Sequence, residues 1–138
     1  MSQEIVQRLN ELLEAERAGV EVCAALAEAL PELKADLDRL RRDEAWSCAG
    51  LHRRIVALGG APSGRKGDFA QKVMALQGLV ERLQLLSRGQ RWVVKRIDAL
   101  LEGGLDPETR AFLEEMRRVH LVNVEWCDRK ADDLSRER

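Results

Sequence analysis

The sequence predicts an all-α protein, an antiparallel bundle of four helices with a crossover between the second and the third. Three observations predict it. Four long segments carry apolar residues at helical spacing. Glycine and proline fall between those segments more than inside them. And each apolar stripe is interrupted near its middle by one polar residue, at heights that match when the helices are laid side by side.

Helix 1 is expected over about residues 3–30, with Leu9, Leu12, Leu13, Gly19, Val20, Cys23, Leu26, Ala27 and Leu30 on one face and Glu16 at its centre. An acid on a buried stripe is costly unless something pairs with it. Pro31 breaks the chain and suits the first turn of helix 2, expected over about 32–58. Its stripe is Leu33, Leu37, Leu40, Glu44, Ser47/Cys48, Leu51, Ile55 and Leu58, again with a central acid.

Gly59-Gly60-Ala61-Pro62-Ser63-Gly64 ends helix 2. The 59–78 segment reads as the crossover, with a short helix around Asp68 to Ala75 and Gly78 as a break; one continuous helix from Asp68 is the competing reading. Helix 3, about 79–101, carries Leu79, Leu83, Leu86, Val93/Val94, Ile97 and Leu100/Leu101, with Gln90 mid-stripe. Gly103-Gly104 ends it. Asp106-Pro107-Glu108 then supplies a capping side chain, a proline at the first helical position and an acid favoured by the macrodipole. Helix 4, about 107–134, has the stripe Phe112, Met116, Val119, Asn123 and Trp126/Cys127, flanked by Arg117 and His120.

Measured at about 1.5 Å per residue, Glu16 and Glu44 meet half-way along an antiparallel pair. A crossover then starts helix 3 at the opposite end, so Gln90 and His120 arrive at the same height. A tight hairpin after helix 2 would leave Gln90 several residues away.

Four helices with this crossover and inward acids resemble the ferritin-like superfamily. The phrases LNELLEAERAGV, DEAWSCAGLHRRIVALGGAPS and LLSRGQRWVVKRI are similar to small bacterial ferritin-like proteins of undefined activity, and the resemblance covers nearly the whole chain. It implies a two-metal site with a Glu from two helices and a Glu-x-x-His pair from the other two. Carried over, the expected ligands are Glu16, Glu44 with Ser47 in place of a histidine, Gln90 in place of a glutamate, and His120 with Arg117 in place of a glutamate. Glu16, Glu44 and His120 survive.

Three readings follow, of which a working two-metal oxidase or ferroxidase is set aside because too few ligands remain for both metals. A metal-free polar layer is favoured, in which an inward Arg117 bridges the two acids and Ser47, Cys48, Gln90 and Asn123 complete the hydrogen bonding. The protein is then a non-catalytic bundle acting through binding or assembly. The alternative is one iron, manganese or zinc ion on Glu16, Glu44 and His120, with Cys48 or water, in a metal-handling protein or oxidoreductase. Whether the chain is an enzyme is left open, leaning against.

Trp46 and Trp92 sit opposite their core stripes, and helix 1 is apolar nearly all round from Ala15 to Leu30. Both suggest a covered surface, with a homodimer the simplest case and another protein the alternative. The formal net charge of -1 comes from acids and bases spread along the chain, unlike the concentrated basic face that nucleic acid requires. No apolar run approaches the roughly 20 residues of a membrane span. The amphipathic, acidic N-terminus differs from a signal peptide, so a cytoplasmic setting is expected. Cys23, Cys48 and Cys127 read as reduced thiols, since their number is odd and no CxxC spacing occurs.

Overall fold

A computed structural model describes residues 2–137. Among the described residues the protein is all-α: α1 (Ser2–Ala29), a single 3-10 turn (Pro31–Leu33), α2 (Lys34–Ala57), α3 (Phe69–Ala75), α4 (Leu79–Leu101) and α5 (Pro107–Arg136). The chain divides into two compact units, Met1–Gln71 and Lys72–Arg138. Each is built on one pair of packed helices, α1 with α2 in the first and α4 with α5 in the second.

In the first unit most of the predicted stripe residues are buried, while Val20, Leu30, Cys48 and Leu58 are half-buried. Leu9, Leu12, Leu13, Cys23 and Leu26 on α1, and Leu37, Leu40, Leu51 and Ile55 on α2, are almost wholly removed from solvent. The Pro31 turn closes with the Leu33 amide donating to the Leu30 carbonyl at 2.9 Å. At the other end of α2 the chain leaves through a glycine pair. Gly59 adopts a φ of 83°, which L side chains resist, while the Gly59 and Gly60 amides donate to the Val56 and Ile55 carbonyls at 3.0 and 2.9 Å. Gly60 is needed for a second reason: a Cβ there would stand 2.5 Å from Val6 Cγ1.

The segment after this cap lies along α1, fastened by a polar stripe that was not anticipated. Asn10 donates to the Ala61 carbonyl at 3.1 Å and accepts from the Ser63 amide at 2.7 Å. The Ser63 hydroxyl donates to Glu14 at 2.6 Å, Arg17 donates to the Ser63 and Arg65 carbonyls, and Lys66 pairs with Glu21 at 2.5 Å. Asn10, Glu14, Arg17 and Glu21 recur at spacings of three and four, so one helix face holds the whole segment. This explains how Ala18, on the back of α1, is fully buried: Gly67 passes it, with Cβ positions 3.9 Å apart. Val22 is equally buried, whereas Ala29 is exposed. The apolar back of α1 is thus covered, in part, by its own chain.

The short helix falls close to its expected place. Gly78, extended at φ -86° and ψ 138°, separates α3 from α4, so the competing continuous helix does not form. Arg82 secures this break by donating to the Leu76 and Met74 carbonyls at 2.6 and 3.1 Å.

In the second unit α4 buries Val80, Leu83, Leu86, Gln90, Val93, Val94, Ile97 and Leu100. Helix α5 begins as expected, with the Asp106 carboxylate accepting from the Thr109 amide at 3.0 Å and Pro107 behind it. Its buried face is a correction. The stripe is Thr109, Leu113, Met116, His120, Asn123, Val124, Cys127 and Ala131, while Phe112, Val119 and Trp126 are only half-buried. The face is rotated by about one residue, or ~100° at each affected position, from the expected one. His120 therefore stands at the centre of the stripe instead of at its edge.

Candidate functional site

The first unit holds two buried acids. Glu16 on α1 and Glu44 on α2 are 2% and 1% exposed. They occupy the middle of two packed apolar stripes, where charge is expensive. Burial pushes the Glu16 carboxyl up to about 7, and hydrogen bonding with Glu44 and Ser47 pulls it back only part of the way. Glu16 therefore titrates near neutral pH, where an ordinary carboxyl is fully ionised.

Room for this pair comes from Gly19, one turn after Glu16. A Cβ on Gly19 would lie 2.9 Å from both Cδ and Oε2 of Glu44, so the carboxylate rests against bare α1 backbone. Ser47, fully buried one turn after Glu44, borders the same place. Cys48 is half-buried, and its thiol is pushed up to about 12, first by burial and then by the negative charge of Glu16 and Glu44, with Arg17 offsetting part of it. The thiol stays protonated and unreactive as a nucleophile at neutral pH.

The second unit holds a buried histidine. His120 is 1% exposed, and its Nδ1 lies 2.8 Å from the Met116 carbonyl one turn earlier. A carbonyl only accepts, so Nδ1 carries a proton; in the neutral imidazole the lone pair is then on Nε2. A backbone hydrogen bond of this kind sets the tautomer of a metal-binding imidazole. Gln90 and Asn123 are buried on α4 and α5, as the sequence reading expected. Ser87 is buried as well, donating to Asp128 at 2.6 Å beside the Arg91–Asp128 ion pair; an inward serine on an otherwise regular stripe was the available signal for it.

Arg117 is not in a polar core layer. Its side chain is 40% exposed and donates to Asp98 of α4 at 2.5 Å. The rotation of α5 carries it to the edge of the hairpin. There Asp98 offers a carboxylate in contact with solvent, which avoids the cost of burying a guanidinium. His52, Trp46 and Trp92 lie outward, the two indoles being 39% and 40% exposed.

The fold and these side chains define a class: an all-α protein of two helix pairs with a buried acid pair on one and a buried, tautomer-fixed histidine on the other. Residues 3–129 match a family model described as a domain of unknown function, DUF6306, and the chain belongs to that family. No curated protein and no solved structure matches it. Among the described residues, no helix is long and apolar enough to cross a membrane.

Proposed function

We propose that the chain is a ferritin-like four-helix bundle that binds one divalent transition-metal ion through Glu16, Glu44 and His120. The observation that carries this reading is the Glu16–Glu44 pair. Two carboxylates are buried on neighbouring helices, a glycine clears space for one of them, and burial raises the pKa of the other. A bound cation would supply counter-charge to the two acids once the Glu16 carboxyl ionises. The buried His120, whose Nε2 carries the lone pair in the neutral ring, is a third side chain of ligand type and would complete the donor set in the proposed bundle.

The donor set fits one ion and not two. Where the ferritin-like pattern has a second histidine and two more glutamates, this chain has Ser47, Gln90 and Arg117, and Arg117 is engaged with Asp98. With the arginine turned outward, the main competitor for the metal's place is gone. Two carboxylate oxygens and one imidazole nitrogen suit iron(II), manganese(II) or zinc(II). A bound ion would supply the counter-charge and Lewis-acid or redox chemistry; the chain supplies the buried acids, the fixed tautomer and the exclusion of water.

Binding of Mn(II) and Zn(II) to the chelator-treated protein, followed by calorimetry, tests this reading. Saturation at about one ion per chain, lost in Glu16→Ala and in His120→Ala, is the expected result. Assembly as a homodimer is a second reading, supported by the exposed Trp46 on α2. A monomeric mass at micromolar concentration in analytical ultracentrifugation would remove it.

A further inference from the structure

A different part of the molecule carries a second site. On α4, Arg88, Arg91, Trp92 and Lys95 recur at spacings of three and four, so they share one face. With Val94, Leu121 and Val124 they line an open groove of about 490 Å³ between α4 and α5. That volume lies within the ~300–1,000 Å³ range of small-molecule sites. Its apolar surface is unusually open to solvent, with Trp92 at 40% and Leu121 at 42% exposure. The Arg96 guanidinium lies 4.7 Å from the centre of the Trp92 ring and holds the indole as a wall.

The polar part of the lining has one sign. It contains three cations and no acid. Arg91 is tied to Asp128, but Arg88 and Lys95 have no ion-pair partner among the described residues. An apolar trough bordered by two uncompensated cations is complementary to a molecule with an apolar body and an anionic head. A guanidinium and a carboxylate match in geometry as well as in charge. A second copy of the chain, docked about a two-fold axis through this groove, would instead set three cations against the same three.

We propose that this groove binds a small amphipathic carboxylate, an alkyl or aryl chain ending in a single carboxylate, free in solution. The head pairs with Arg88 and Lys95, and the body lies on Trp92, Leu121 and Val124.

The test is titration of the full chain with decanoate, followed by tryptophan emission, with decanol and acetate as separate probes. The chain has three tryptophans, so Trp92→Phe identifies which one reports. Saturable binding is expected, about tenfold weaker for decanol and for the Arg88→Glu/Lys95→Glu protein, and with no tryptophan signal in Trp92→Phe. Leu121→Glu, at an exposed position, provides the same comparison should the double variant fail to fold. Equal affinity for decanol, affinity unchanged in both charge variants, or binding only to phosphatidylglycerol vesicles would overturn the proposal. Self-association abolished by Trp92→Ala, without decanoate binding, would overturn it in favour of a protein partner.

Discussion

Gly19 and Glu44 are complementary across the first helix pair: the glycine of α1 lacks the Cβ that would stand 2.9 Å from the Glu44 carboxyl carbon. The relationship separates stability from binding. In Gly19→Ala the atoms that must move are the far end of a flexible side chain, and alanine gains about 1 kcal/mol of helix propensity over glycine. The melting temperature should change little, or rise, while metal affinity falls at least tenfold because Glu44 is displaced. Thermal denaturation beside calorimetric metal titration checks both halves.

The raised Glu16 pKa makes the metal-free protein pH-sensitive. The unfolded carboxyl ionises near 4.5, the folded one near 7. Below the lower value both states hold the proton. Between the two values the folded state holds more protons than the unfolded one, so stability falls as pH rises, and the loss is complete above about 7. The shift corresponds to about 3 kcal/mol. Glu16→Gln, which cannot ionise, should therefore gain on the wild type across this window, as measured by urea denaturation at a series of pH values. Metal binding should run the opposite way, strengthening as the Glu16 proton leaves.

Arg117 and His120 sit one turn apart but should behave differently. Arg117→Ala removes an ion pair in contact with solvent, so a change under about 1 kcal/mol and an unaltered metal stoichiometry are expected. His120→Ala empties a buried position and should cost about 2–4 kcal/mol together with the metal. If Arg117→Ala instead raised metal affinity strongly, the arginine would be competing for the site.

The segment after α2 is held by side chains of one α1 face, and Asn10 makes two of those bonds. Asn10→Ala should loosen the segment by about 1–3 kcal/mol without unfolding the helices. Faster tryptic cleavage at Arg65 and Lys66, with unchanged helical circular dichroism, is the expected observation.

The helices were legible because apolar spacing, Pro31, Gly59-Gly60, Gly78, Gly103-Gly104 and Asp106-Pro107 each act locally. Glu16, Glu44 and Gln90 were legible as interruptions of clean stripes. The face of α5 was not, because Phe112, Val119 and Trp126 offer an apolar alternative one residue away from Leu113, His120 and Cys127. Choosing between them depends on how α5 seats against α4, which periodicity does not encode. The same ambiguity hid the outward turn of Arg117. The fastening stripe on α1 went unread for another reason: Asn10, Glu14, Arg17 and Glu21 look like an ordinary solvated face until the 59–68 backbone they hold is known.

Metal content tests the central claim most directly. The full chain is purified, loaded with Mn(II), Fe(II) or Zn(II) under reducing conditions, freed of excess ion and assayed by elemental analysis. About one ion per chain, falling below a tenth of that in both Glu16→Ala and His120→Ala, is the expected result. A content near two, a content near zero with all three metals, or a single ion that survives His120→Ala would contradict the proposed site.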